Sequence, residues 1–125
     1  MKYLLIICSV LLLATGACKK EVMPDAPAFA LKATAITFKA GVEGAFTFEG
    51  NPGIISFYSG EAGHVYKGDG INKSVAVKGN SEARLEKFTY TYAEKGTYKA
   101  YFIAQNTNIY GSREVVRQID VTVTD

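Results

Sequence analysis

The sequence predicts an all-β sandwich of about seven short strands. Beyond residue 35, no stretch repeats its apolar residues with the period of about 3.6 that an amphipathic helix requires. Short runs in which apolar and polar residues alternate recur instead, separated by Gly, Asn and Pro. Such alternation is typical of strands that bury one face, and a series of short strands with turns between them is typical of a sandwich.

The strands predicted in the first half of the domain end at turn residues. We place them at residues 35–38, 45–48 and 54–58, and the turns that follow contain Gly41, Gly50 to Gly53, and Gly60. Gly supplies the positive φ that tight turns need, and Pro presets its own φ, so these residues end each run. A fourth, shorter strand at residues 75–77 lies between two glycine-containing turns.

The strands predicted in the second half alternate more strictly. In residues 85–92, one face carries Phe88, Tyr90 and Tyr92, while the other face is polar. Residues 97–105 and 118–124 follow the same pattern, with an apolar residue at every second position. Together with the strand at residues 54–58, the apolar faces of these strands predict a core that includes Phe57, Tyr92, Tyr98 and Phe102.

Composition limits the partners that we expect. The chain has 125 residues, which is enough for one domain with a single core. Its 14 basic and 12 acidic residues are scattered along the sequence, and the formal net charge is +2. Nucleic-acid binding requires a clustered basic surface, and the sequence contains no basic stripe. We therefore expect no nucleic-acid partner.

The first 17 residues have the organisation of a secretory signal peptide. Lys2 is followed by an apolar stretch over residues 4–13 and then by small residues at positions 14–17. A positive start, a short hydrophobic core and a small-residue cleavage site are the three parts of such a signal. The apolar stretch is shorter than the about 20 residues that a membrane-spanning helix needs. We expect residues 1–17 to be removed on export.

Cys18 follows these small residues directly, and Lys19 and Lys20 come next. This arrangement resembles the lipobox of bacterial lipoproteins, in which the cysteine thiol is acylated and becomes the new N terminus. The resemblance implies lipidation at Cys18 and a place at the outer membrane, on either its cell-surface or its periplasmic face. A plain secretory signal with a chance cysteine is the alternative. Cys8 leaves with the signal, so the mature chain is expected to have no disulfide.

Residues 18–34 are predicted to be the lipidated N terminus and a flexible tether. The segment contains Pro24 and Pro27 among small residues, and it shows no sustained apolar period. Fully extended, the part from Glu21 to Ala35 would span on the order of 50 Å at about 3.3 Å per residue. The predicted sandwich then occupies residues 35–125.

One segment of this domain resembles a known family. Residues 90–98 read Tyr-Thr-Tyr-Ala-Glu-Lys-Gly-Thr-Tyr, which is similar to the sixth-strand region of PKD domains, an immunoglobulin-like family. Gly96 suits the positive φ of the turn. Tyr98 suits a tyrosine corner, with its ring in the core and its hydroxyl on a nearby backbone group. Phe57 stands where the family has a buried Trp. The resemblance implies an immunoglobulin-like β-sandwich.

A second resemblance concerns the setting of the protein. Residues 55–61 read Ile-Ser-Phe-Tyr-Ser-Gly-Glu, and with Gly63 and Tyr66 they resemble an uncharacterised PKD-like domain of lipoproteins encoded with polysaccharide-uptake systems. The loop from Asn106 to Gly111 is similar to an Asn-x-x-x-Tyr-Gly loop of that family. The resemblance covers about residues 30–125. It implies a polysaccharide or other outer-membrane uptake proteins as partners. A ligand-binding domain usually follows in the family, so this chain would be a shortened member.

Residues with catalytic or metal-binding potential are few. His64 is the only histidine and lies in a predicted turn, which disfavours a zinc site or a Ser-His-Asp triad. Glu49 and Glu61 follow consecutive strands and should emerge at opposite ends of the sandwich, whereas the carboxylates of a glycosidase lie about 5–10 Å apart. Asp69 lies in a segment that lacks the alternating acids of a calcium loop. We expect no enzyme activity, no metal and no other cofactor.

The aromatic residues allow two interpretations. The chain has eight Tyr and seven Phe, and most of them lie in alternating strands that suit a core. Tyr110 instead lies in the polar loop of residues 106–112. In an immunoglobulin-like sandwich, this loop emerges beside the loop that joins the second and third strands. One pole with the composition of a recognition surface would then be formed by Asn51, Asn106, Asn108 and Tyr110. Two ordinary hairpin loops are the alternative, because Asn and Gly favour turns in any case.

Two functions are compatible with these features. In the first, the protein is a non-catalytic, lipid-anchored accessory of a glycan-binding or uptake system, and it acts as a spacer or a protein-contact module. In the second, it binds carbohydrate directly through the loops at the pole. The first is our expectation, and the second is the alternative.

Overall fold

The computed structural model describes residues 22–125. Runs in which apolar and polar side chains alternate form its strands. The first four strands are β1 (Phe29–Leu31), β2 (Ala35–Lys39), β3 (Gly44–Gly50) and β4 (Ile54–Tyr58). A long loop leads to β5 (Val75–Lys78), β6 (Lys87–Tyr90), β7 (Gly96–Asn108) and β8 (Gly111–Thr124). The described residues include no helix that is long and apolar enough to cross a membrane. The all-β prediction is confirmed.

Two sheets of unequal size face each other. The smaller sheet has the strand order β1-β3-β6, and the larger sheet has the order β2-β8-β7-β4-β5. β2 runs parallel to β8, and the other neighbouring strands are antiparallel. The chain passes from the smaller sheet to the larger one between β1 and β2. This arrangement is consistent with an immunoglobulin-like sandwich.

The longest element of the fold is the hairpin of β7 and β8, which is closed by Ile109 and Tyr110. Its pairing continues from Gly96, opposite Val123, to Asn108, opposite Gly111. β4 pairs with β7 only as far as Gln105, and β2 pairs with β8 only over residues 120–124. The closed end of the hairpin therefore projects beyond the strands on either side of it.

Aromatic rings fill the space between the two sheets. Phe102 of β7 is fully buried, and its ring centroid lies 4.8 Å from that of Phe57, 5.2 Å from that of Phe46 and 5.9 Å from that of Phe48. Phe46 and Phe48 belong to the smaller sheet, whereas Phe57 belongs to the larger one. Aromatic pairs of this kind contribute about 0.5–1.5 kcal/mol beyond the burial of their surface. Phe102 thus joins the two layers.

Three of the four predicted core residues are fully buried, namely Phe57, Tyr92 and Phe102. Tyr98 differs, because it is only half-buried and packs its ring against Tyr92 at 4.8 Å. Its hydroxyl donates to the backbone carbonyl of Glu94 at 2.9 Å, which is the hydrogen bond of a tyrosine corner. Alternation indicates which face a residue occupies, but it does not indicate how near that residue lies to the end of the sheet.

The segment of residues 18–34, for which the sequence predicts a flexible tether, contains a strand in the structure. β1 lies within it and pairs with β3, so that Phe29 faces Gly50. Phe29 is buried, and its ring lies 5.3 Å from that of Phe48. The prolines and small residues around Phe29 favour a linker in the sequence, and they obscure this short strand. The predicted signal peptide (residues 1–17) and Cys18 lie outside the described residues.

Replacing Phe102 with Ala is expected to destabilise the domain by about 3–5 kcal/mol, because the change leaves a cavity between the two sheets. Urea unfolding followed by circular dichroism measures the effect. Tyr98→Ala on the same strand is the matched comparison, and it should cost clearly less because Tyr98 is half-buried. Equal losses in the two variants would contradict the role assigned to Phe102.

Candidate functional site

The predicted pole brings together the loop between β3 and β4 and the closed end of the β7–β8 hairpin. The backbone N–H of Gly53 in that loop donates to Asn106 Oδ1 at 2.9 Å. Because the two residues are 53 positions apart, this bond joins two distant parts of the chain. A Cβ on Gly53 would lie 2.5 Å from Asn80 Oδ1, so the loop packs closely against its neighbours.

The amide groups of Asn106 and Asn108 bind the chain's own backbone. Asn106 Nδ2 donates to the carbonyl of Asp25 at 3.2 Å, and Asn108 Nδ2 donates to the carbonyl of Val22 at 2.9 Å. Asn108 Oδ1 also accepts the backbone N–H of Tyr110 at 2.8 Å, within the hairpin turn. One N–H group and the oxygen of each amide are therefore engaged. The two asparagines hold residues 22–25 along the end of the hairpin.

The other two predicted site residues have exposed side chains. Tyr110 is 44% exposed, and Asn51 is exposed on the neighbouring loop. The structure thus places all four predicted residues at one end of the sandwich, in two groups with different surroundings. Asn106 and Asn108 bind the N-terminal segment, whereas Asn51 and Tyr110 face solvent.

Lys78 is buried beneath this pole. The sequence does not indicate that this lysine is buried. Its Nζ donates to the carbonyls of Pro52 and Gly53 at 3.0 Å each, and to the carbonyl of Gly79 at 3.3 Å. Burying an ammonium group is costly unless hydrogen bonds replace those of water. Three carbonyl partners meet that requirement here, and they fix the backbone of the β3–β4 loop. A lysine at the end of a short strand would ordinarily be expected on the surface.

Three tyrosines form a second cluster, which we call the tyrosine stack, on the outer face of the larger sheet. Tyr58 and Tyr101 are cross-strand partners on β4 and β7. Tyr66, from the loop between β4 and β5, packs against both, with ring centroids 5.4 Å from Tyr58 and 4.8 Å from Tyr101. The hydroxyl of Tyr101 donates to Gln118 Oε1 at 3.1 Å. The stack presents half-buried aromatic surface with polar groups around it.

The loop that carries Tyr66 is held in a defined shape. The Nδ1–H of His64 donates to the carbonyl of Lys73 at 2.8 Å, and the carboxamide of Asn72 accepts the backbone N–H of Val65 at 2.9 Å. Lys67 is the one non-glycine residue among residues 22–125 with φ in the left-handed region, at 52°. Its ammonium group lies 5.4 Å from the centroid of the Tyr66 ring. The hydrogen bond between His64 and Lys73 therefore helps to fix the shape of the loop that carries Tyr66.

At the end of the sandwich opposite the pole, two tyrosine hydroxyls donate hydrogen bonds. Tyr92 donates to the buried carbonyl of Ser59 at 2.9 Å, and Tyr90 donates to the carboxylate of Glu61. Burial raises the pKa of Tyr90, and the Glu61 carboxylate adds to that shift. Burial also raises the pKa of Tyr92 well above its ordinary value, with a further contribution from Tyr90. These tyrosines keep their protons at any physiological pH and serve as hydrogen-bond donors.

The carboxylates that could support acid–base chemistry lie far apart. Tyr90, the partner of Glu61, faces Gly44 at the start of β3, whereas Glu49 lies near the end of the same strand. Five residues of strand correspond to about 17 Å. Within residues 22–125, no group of three or more His, Cys, Asp or Glu side chains is arranged to hold a metal ion.

The fold and these clusters define an all-β protein with two packed sheets and an N-terminal segment bound to the end of its longest hairpin. The chain belongs to the family described as a domain of unknown function, DUF5017, and the match spans residues 17–114. The matched region therefore includes the docked N-terminal segment, the pole and the tyrosine stack. No curated protein and no solved structure matches the chain.

Replacing Tyr92 with Phe is expected to change how stability depends on pH. The unfolded chain loses this proton near the ordinary pKa of 10.0, whereas the folded protein keeps it at higher pH. Above that pH the unfolded state binds fewer protons than the folded state. The free energy of unfolding should therefore fall there by up to about 1.4 kcal/mol per pH unit for each such tyrosine.

Urea unfolding at about pH 8 and at about pH 11 tests this expectation, since the two values bracket the tyrosine pKa. At the lower pH, Tyr92→Phe should cost about 1 kcal/mol, because the hydrogen bond to Ser59 is lost. Between the two pH values, the variant should lose less stability than the unmodified protein. Tyr110→Phe on the exposed loop is the control and should behave like the unmodified protein. An unchanged pH dependence in Tyr92→Phe would contradict the assignment.

Proposed function

We propose that this protein is a non-catalytic, lipid-anchored accessory of a bacterial glycan-binding or uptake system, and that it acts as a spacer or a protein-contact module. The observation that carries this proposal is the docking of residues 22–25 on the β7–β8 hairpin through Asn106 and Asn108. The polar side chains expected to meet a ligand instead position the segment that leads to Cys18. Their arrangement suits a module that connects an anchor to a folded body.

The lipid anchor is supported by the sequence around Cys18. A short positive start, an apolar stretch and small residues precede the cysteine, as in a lipoprotein signal. The family match begins at residue 17, next to this cysteine. The resemblance to lipoboxes also supports the outer-membrane location in this proposal.

The glycan setting is supported by the resemblance of residues 55–66 and 90–98 to PKD-like domains of polysaccharide-uptake lipoproteins. The two-sheet fold is compatible with that resemblance. A fold of this kind accommodates many functions, so the setting is inferred from sequence motifs.

Direct carbohydrate binding is the second candidate, and exposed aromatic and amide groups favour it. At the pole, Tyr110 and Asn51 present their side chains to solvent. The tyrosine stack offers a second surface of suitable chemistry, because half-buried tyrosines supply both apolar area and hydroxyl groups. Asn106 and Asn108 contribute less to this candidate than the sequence alone indicates, because their amides already bind the backbone.

Changing Cys18 to Ala is expected to prevent lipidation. The full-length variant should appear as soluble protein or remain as uncleaved precursor in the inner membrane, since the thiol that accepts the acyl chain is gone. Metabolic labelling with palmitate measures the effect, and Cys8→Ala is the matched control because Cys8 lies within the signal. Labelling that persists in Cys18→Ala would refute the anchor.

A glycan array on the chain from Cys18 onward separates the two candidate functions. The accessory role predicts no bound saccharide. Binding that is weakened by Tyr110→Ala, by the equivalent of about 1–3 kcal/mol, and unchanged in Tyr101→Ala would establish the pole as a carbohydrate site. The reverse result would locate carbohydrate binding at the tyrosine stack. Either kind of binding would overturn the purely accessory role.

A further inference from the structure

Exposed apolar side chains gather where the N-terminal segment meets the closed end of the β7–β8 hairpin. Val22 is 63% exposed, Met23 40%, Ile109 91% and Tyr110 44%. These four residues, which we call the apolar tip, account for most of the large apolar side chains that are exposed in the described part of the chain. Scattered exposed apolar residues are normal, but a cluster at one projecting end marks an interaction surface.

Two contacts hold the parts of the apolar tip together. The Asn108 carboxamide binds the carbonyl of Val22 at 2.9 Å. The Met23 side chain lies directly on the backbone of Gly111, where a Cβ would come within 2.8 Å of the Met23 sulfur. The N-terminal segment and the hairpin end therefore present their apolar residues as one surface.

The length of chain before Val22 limits how far this surface can lie from the anchor. Cys18 and Val22 are four residues apart, and four residues span at most about 14 Å even when fully extended. A distance of about 50 Å between anchor and domain, as an extended tether over residues 21–35 would allow, is not reached, because residues 22–25 are bound to the hairpin. An acyl chain on Cys18 would bring the apolar tip to the membrane surface.

We propose that the apolar tip inserts into the interfacial region of the phospholipid bilayer beside the lipid anchor. This inference rests on the lipidation of Cys18 that is part of the proposed function. Tyrosine is enriched at membrane–water interfaces because its ring is apolar and its hydroxyl is polar, and Ile109 supplies apolar area that enters the acyl boundary. A second point of contact beside an acyl chain strengthens membrane attachment. It also sets the orientation of the domain.

The orientation follows from the hairpin. Asn108 lies at the tip end of β7, and Gly96 lies at the other end. The twelve residues of strand between them correspond to about 40 Å. Gly96 pairs with Val123, so the C-terminal end of β8 lies at that far end. The bound tip would place Asp125 away from the membrane. The folded body itself would then act as the spacer.

A single tryptophan reports insertion of the tip, because the chain contains no Trp. The chain from Cys18 onward contains every described residue, and Cys18 is its only thiol. Coupling that thiol to a maleimide lipid in phosphatidylcholine vesicles attaches the protein without any cellular acylation. Ile109→Trp is the test variant. Ile71→Trp is the matched control, since Ile71 is 86% exposed and lies in the loop between β4 and β5.

On the vesicles, the emission of Ile109→Trp should shift to shorter wavelength and be quenched by lipids brominated near the headgroup. The emission of Ile71→Trp should do neither. Adding Asn108→Ala to Ile109→Trp should reduce the shift and the quenching, because the bond that holds Val22 to the hairpin is removed. Circular dichroism of each variant confirms that the fold is retained.

Equal spectra for Ile109→Trp and Ile71→Trp on the vesicles would overturn the proposal, even if palmitate labelling established the anchor. Insertion on coupled vesicles combined with absent labelling in cells would instead preserve the tip and reject the proposed lipidation. A concentration-dependent shift of Ile109→Trp without vesicles would assign the tip to contact with a second copy of the chain, and it would also overturn the bilayer as its partner.

Discussion

The contact of Phe102 with both sheets is the interaction on which the rest of the structure depends. β7 is an interior strand of the larger sheet. Its residue Phe102 packs against Phe46 and Phe48 of the smaller sheet. The same ring lies 6.3 Å from that of Phe29, which draws β1 into the core. Because β1 is fixed with Phe29 opposite Gly50, the residues before β1 lie beside the closed end of the β7–β8 hairpin. The position of the N-terminal segment therefore follows from the core.

A polar contact reinforces this coupling between β1 and the hairpin. Arg117 of β8 lies opposite Phe102 in the sheet, and its Nε donates to the carbonyl of Phe29 at 3.1 Å. Asn106 and Asn108 extend the same connection toward the hairpin end, where they bind the carbonyls of Asp25 and Val22. A charged or amide side chain thus meets the backbone of the N-terminal segment at three successive points. These contacts define the path of the chain from its first described residue into β1.

Much of the fold could be predicted from the sequence, because alternation over five or more residues reports which face of a strand is buried. β7 is the best example, since the long alternating run of residues 97–105 leaves one register that buries the apolar face. In β8 the prediction covers residues 118–124, because residues 111–117 lack strict alternation. β1 is not predicted, because Phe29 and Leu31 follow Pro24 and Pro27 among small residues, a composition that favours a linker. Tyr98 was assigned correctly to the inner face, but its half-buried state depends on its position near the end of the sheet.

The candidate site was harder to predict, because its contacts link residues far apart in the chain. The sequence indicates that Asn106 and Asn108 are polar residues near a turn, but the carbonyls that their Nδ2 groups bind lie more than 80 positions earlier. No local pattern reveals such a pairing. Lys78 was missed for a related reason, since its three carbonyl partners come from two loops that only the folded chain brings together. Composition predicted where the polar groups gather, and tertiary structure decided what they bind.

The position of the tyrosine stack connects the two candidate functions with the orientation of the domain. Tyr101 lies seven residues from Asn108 along β7, which corresponds to about 23 Å of strand. If the apolar tip lies at the bilayer, the stack faces sideways, well above the headgroups. A neighbouring outer-membrane protein or a glycan held by one would meet the domain at that height, whereas the bilayer itself would not.

The same orientation leaves little room for a polysaccharide at the pole, because the exposed side chain of Tyr110 belongs to the surface that would contact lipid. A bound tip therefore favours the protein-contact role over carbohydrate binding at the pole.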